Sequence, residues 1–112
     1  MREWLRRIIE PMFDSWESSD EYATLHRLDR EVRVDVARLF PSKATRKDEL
    51  PMWVKAFGLH LEPTMNARQI AWIRTSTGGW LAAVEMPATS GNGRSRLTMN
   101  LWLPAEVVRP DQ

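Results

Sequence analysis

Histidine, cysteine, activated serine and paired carboxylates carry most protein chemistry, and this chain uses them sparingly. It has two histidines, His26 and His60, and no cysteine. Without cysteine there is no thiol catalysis, no disulfide framework and no thiolate metal site. Zinc takes three or four ligands, and two distant histidines with scattered acids do not supply them, so no metal is expected. His26 precedes Asp29 and Arg30, and His60 precedes Glu62. Either imidazole could do acid–base work with such neighbours, but each group reads more simply as surface residues. No G-x-S-x-G elbow sets up a nucleophile, and Gly91-Asn92-Gly93 lacks the strand and helix context of a phosphate cradle. The expectation is a protein that is not an enzyme, with no catalytic residue, cofactor or small-molecule substrate.

Binding surfaces remain. Six tryptophans in 112 residues (Trp4, Trp16, Trp53, Trp72, Trp80 and Trp102) are many for this length. Each can bury roughly 200 Å², so the simplest expectation places most of them inside. Tryptophans left outside would mark a contact surface, because binding hot spots are rich in them. The contact set expected is Trp72, Trp80 and Trp102 on strands, or Trp4 and Trp16 on a first helix. Arginine outnumbers lysine 13 to 3. That excess suits phosphate or carboxylate recognition, and it equally suits a GC-rich coding sequence. The alternative surface is therefore a nucleic-acid contact through Arg27, Arg30, Arg33 and Arg38 on a helix and Arg94 and Arg96 in a hairpin loop. Net charge is +1 over the whole chain, with −3 over residues 1–21 and +4 over residues 22–47. So small a total gives little general attraction to nucleic acid.

These surfaces need elements to position them. Trp4, Leu5, Ile8, Ile9, Met12, Phe13 and Trp16 recur at helical spacing, with Pro11 as a kink. Such a helix could pack on the core, meet a partner or lie on a membrane, although mixed acids on its polar face disfavour the membrane. Ser18 and Glu21 have capping-box spacing, and Leu25, Leu28, Val32, Val36 and Leu39 follow on one helical stripe. A helix over about 19–40 is expected, against a competing strand signal in Val32, Val34 and Val36 alternating with Arg33 and Asp35. A short third helix carries Leu50, Trp53, Val54 and Phe57, with Pro51 in its first turn and Gly58 as a left-handed exit. Leu59–Glu62 reads as a short strand, and Pro63–Asn66 as a turn.

The remainder is β-rich. Gln69–Ser76 reads as a strand, with a helix over 66–74 as the competitor. Thr77-Gly78-Gly79 is a hairpin turn, Trp80–Met86 a second strand and Pro87–Gly93 a loop. From Arg96 to Leu103, Leu97, Met99, Leu101 and Leu103 face one way, and Arg96, Thr98, Asn100 and Trp102 the other. Pro104 ends that strand, and Ala105–Arg109 reads as one helical turn.

The Trp-initiated strand Trp80-Leu81-Ala82-Ala83-Val84, a glycine-containing loop and the closing Leu103-Pro104-Ala105-Glu106-Val107-Val108 loosely resemble small SH3-like barrels. The resemblance covers about a quarter of the chain. The acidic loop and paired aromatics of an SH3 peptide groove are not identifiable, so no site is carried over.

The architecture expected is a single α+β domain over 1–112, helical over 1–58 and β-rich over 59–112. Two long helices and one short one pack on a three-stranded antiparallel β-meander. The function expected is a small non-catalytic adaptor, regulator or inhibitor acting on a protein partner or on itself as a homodimer, with nucleic-acid binding as the alternative. Arg6, Arg7 and Glu10 interrupt any secretory signal, and no apolar stretch is long enough to span a bilayer. A cytoplasmic location is expected.

Overall fold

The computed structural model describes residues 15–40 and 49–111. The expected first helix lies almost entirely outside them; Ser15 and Trp16, its last described residues, are not helical.

The rest of the chain overturns the helix-on-meander expectation. Strands hold 53% of the described residues, in one antiparallel sheet, and the α-helices are two short pieces. In chain order the elements are β1 (Leu25–Asp35), α1 (Val36–Leu39), α2 (Met52–Phe57), β2 (Leu59–His60), β3 (Thr64–Arg74), β4 (Trp80–Ser90), β5 (Arg96–Pro104), a 3-10 turn (Ala105–Val107) and β6 (Val108–Pro110). The sheet runs β5-β4-β3-β1-β6. The short β2 pairs with the far end of β4, Leu59 with Ser90 and His60 with Thr89.

The long helix expected over 19–40 is β1 followed by one turn, α1. The weaker, strand-like signal was the governing one. Val32 and Val34 are fully buried and branched at Cβ, while Glu31 and Arg33 between them are exposed. The helical stripe is not a face of β1, although the strand is bulged. Arg27 pairs with Ala71 and Arg30 with Gln69, so β1 carries one residue more than β3 between these points. Even so, the even-numbered residues His26, Arg30, Val32 and Val34 all take the core side, whereas Leu25, paired through Ile73 with Leu81, lies on the outer face, so the apparent stripe joins residues of both faces. Ser18 caps no helix either. Its Oγ accepts from the amides of Thr24 and Leu25, each at 3.4 Å.

The other departures are smaller. Pro63–Asn66 is not a turn, because Thr64–Asn66 opens β3, and the competing helix over 66–74 is absent. The expected loop from Pro87 is strand as far as Ser90. Proline is tolerated there because β3 and β4 pair only from Arg68–Glu85 to Arg74–Trp80. The short helix exists, but it begins at Met52 with Pro51 as its N-cap, so Leu50 precedes it, and Gly58 leaves it at φ −74 and ψ 161 rather than left-handed. Glycine is needed there for space, since a Cβ would lie 2.6 Å from the Val54 carbonyl oxygen.

The core joins strands that are not neighbours in the sheet. Val32 and Val34 of β1, Ala67 of β3, Ala82, Val84 and Met86 of β4, Leu103 of β5, Val107 and Val108 form one buried cluster. The sheet therefore curls on itself, and the 3-10 turn returns the chain from β5 to pair β6 with β1. Small side chains dominate the core, and none of the five described tryptophans is buried. The expectation that most tryptophans lie inside is thus overturned. Among the described residues no helix is long and apolar enough to cross a membrane.

Candidate functional site

Register assigns each tryptophan a side of the sheet. Trp72 pairs with His26 and Ala82, and Ala82 pairs with Leu103, so Trp72 points to the core side. Trp80 lies two residues before Ala82 and shares that side. Trp102 pairs with Ala83 and projects from the opposite face, 41% exposed. Three expected contact residues on neighbouring strands therefore do not form one row. Trp16 is also exposed, its Nε1 donating to Thr24 Oγ1 at 3.1 Å. Trp4 lies outside the described residues.

At the start of β4, Trp72 and Trp80 line an open depression of about 430 Å³ together with His26 and Ala105. Both indoles are half-buried. The Arg30 guanidinium carbon lies 5.6 Å from the Trp72 ring centre, and that of Arg74 lies 5.6 Å from Trp80. These are cation–π distances. The imidazole of His26 sits 5.5 Å from the Trp80 ring, tilted by 43°. Arg30 is also held from below, its Nε donating to Gln69 Oε1 at 2.8 Å. Gln69 is wholly buried, and its own Nε2 donates to the Ala71 carbonyl at 3.1 Å across the β3 bulge. One buried amide thus satisfies a bulged backbone and aims an arginine.

The other end of β4 is built differently. Helix α2 has the sequence Met-Trp-Val-Lys-Ala-Phe, and none of its residues is buried. Met52, Trp53 and Phe57 are 76%, 67% and 63% exposed. Leu59 of β2 and Leu97 of β5 are exposed beside Phe57, around a shallow depression that Arg96 also lines. Backbone bonds hold this protrusion. Asn92 N–H donates to Ala56 O at 2.8 Å, and Gly91 N–H donates to Gly58 O at 3.0 Å. A Cβ at Gly91 would collide with the Lys55 carbonyl oxygen, so glycine permits this close approach. Sequence reading put Trp53 and Phe57 on one face of a short helix and left them out of the contact set. The available signal was length, since a six-residue helix with five apolar positions has no polar face to turn outward.

The expected nucleic-acid arginines disperse. With the helix replaced by a strand, Arg27 and Arg33 fall on the outer face and Arg30 on the core side, while Arg38 is exposed on α1. Arg33 reaches Asp111 at 3.5 Å. Arg94 and Arg96 lie at the far hairpin, where Arg96 pairs with Thr89, whereas Arg30 is level with Val84 in the middle of β4.

The histidines are likewise separated. His26 meets Trp80 rather than an acid, and His60 Nε2 lies 3.4 Å from Glu62 Oε1 with both side chains exposed. A third polar region opens where β3 and β4 part, about 360 Å³ in volume, and includes Asn66, Arg68, Glu85 and Thr98. Arg68 there pairs with Asp29 and approaches Glu31 at 3.7 Å. Burial raises the Glu85 pKa, with Arg68 opposing the shift and Asp29 adding to it. Its Oε1 is enclosed with no hydrogen-bond partner among the described residues. No group of three or more potential metal ligands occurs among the described residues.

No family model, curated protein or solved structure matches this chain.

Proposed function

We propose that this protein is a non-catalytic interaction module that docks on a protein surface through the α2 protrusion. The observation that carries the reading is a helix held by main-chain hydrogen bonds, with no buried residue and flanked by exposed Leu59 and Leu97. Scattered apolar residues on a surface are normal, but a contiguous patch of large ones marks an interaction site. Tryptophan and phenylalanine at its centre suit the anchors of a hot spot. Because the clamp is main-chain hydrogen bonding, little ordering entropy is left to lose on association.

Sedimentation of the wild-type chain beside the Trp53→Ser, Phe57→Ser double variant tests the reading. Self-association that the double variant abolishes identifies a second copy as the partner. If both are monomers, a photo-crosslinking residue at position 53 should give one discrete adduct in an extract of the source cells. Monomers that also yield no discrete adduct refute the proposal.

A further inference from the structure

We propose that the Trp72–Trp80 depression is a second, independent binding site, for a peptide segment in which an acidic side chain adjoins an aromatic or aliphatic one. Its floor is apolar, formed by the two indoles and Ala105. Arg30 and Arg74 stack on the two indoles that line it, and among the described residues no carboxylate lies within ion-pair distance of either arginine. The guanidinium is charged at every physiological pH and matches a carboxylate with paired donors. Each guanidinium already stacks on an indole, and Nε of Arg30 is occupied by buried Gln69. The Arg30 guanidinium is thereby held beside Trp72 rather than free to wander. This is the preorganisation that makes a charged contact specific.

Size and shape select the occupant. A volume of about 430 Å³ falls within the range of ligand sites. The depression is open, with His26 and Arg74 exposed at its edge. An open site leaves much of a small molecule in water, whereas a side chain carried on a longer segment enters it and continues over the rim. Single-stranded nucleic acid fits less well because it needs a basic track along its backbone. Arg94 and Arg96 lie at the opposite end of β4, and Arg27 and Arg33 project from the other face.

Selection of random short peptides on the immobilised full chain is the test, with the Trp80→Ala chain as the background. Retained sequences should place Asp or Glu beside an aromatic or aliphatic residue. The selected peptide should bind the Arg30→Gln and Arg74→Gln variants at least about tenfold more weakly, and its Gln-for-Glu analogue should bind the wild type as poorly. Arg74 is exposed, so its replacement keeps the test valid if Arg30→Gln perturbs folding. No enrichment over background, enriched peptides without acids, or binding indifferent to both arginines would overturn the proposal. So would a single-stranded oligonucleotide that outcompetes the peptide at about 150 mM salt. Any of these results would leave the α2 contact standing, because the two sites lie at opposite ends of β4.

Discussion

The two ends of β4 present tryptophan in opposite ways. At the Trp80 end, Trp72 packs against the core, and arginines sit over both rings. At the Ser90 end, Trp53 and Phe57 stand on a helix that touches the sheet through its backbone. The ends are roughly 33 Å apart at the usual strand rise. The first arrangement defines a ligand by charge and shape. The second defines a partner by apolar area alone. Exposure of an indole thus has a different meaning according to what holds it in place.

Substitutions can break or sharpen this contrast. The largest effect is expected at Gly91, where the added Cβ of Gly91→Ala meets the Lys55 carbonyl. We predict a loss of about 2 kcal/mol or more, read as a lower midpoint in urea. Hydrogen exchange should quicken at the Gly91 and Asn92 amides. Unchanged protection there would show that the clamp does not position the protrusion.

Gln69→Leu addresses the other end. It removes an amide that serves both Arg30 and the Ala71 carbonyl, and leaving that carbonyl unpaired should cost about 1–3 kcal/mol. Loss of stability together with weaker peptide binding supports the positioning role. Loss of stability with unchanged binding would confine Gln69 to the bulge.

A smaller effect is predicted for Glu85→Gln, whose size depends on pH. Burial holds the Glu85 pKa above its ordinary value, so the native state retains a proton that the unfolded chain has lost. Stability therefore declines as pH rises from the ordinary glutamate range to the raised native pKa, and stays reduced above it. Glu85→Gln should raise the melting temperature near pH 7 by at most about 2–4 °C, with the gain fading toward pH 4. Melting curves at the two pH values decide it, and an equal gain at both would remove ionisation as the cause.

The smallest change in stability belongs to Trp53→Ser with Phe57→Ser, within about 0.5 kcal/mol of wild type, because neither side chain is buried. A much larger loss would mean that these residues support the fold and would dissolve the contrast between the ends.

Legibility in the sequence followed the range of the interactions involved. The alternation of Leu97 to Leu103, the turn at Thr77-Gly78-Gly79, the short helix over Met52–Phe57 and the strand after it were readable, because each depends on neighbours a few residues away. Trp102 was correctly placed opposite the leucine face. The helical reading of β1 joined Leu25, on the outer face, to Val32, on the core side, and the faces are set only by pairing with β3. The bulge is set by pairing with Ala71 and Gln69, more than 35 residues away in the chain. The groove was legible only as a set of residue types, since His26, Arg30, Trp72, Arg74 and Trp80 come from three strands.

By itself, then, the sequence determined the absence of thiol chemistry, the surplus of arginine and tryptophan, and the local turns and alternations, all of which reside in composition or in short-range geometry. The tertiary structure alone decided that Leu25–Asp35 is a strand, that Trp72 and Trp102 face opposite ways, and that Arg30 stands over an indole with Gln69 beneath it. The physical reason is that a strand has no internal hydrogen bonds to favour it. Its existence, its register and the face that each side chain takes are conferred by the partner strand, and that partner lies far along the chain.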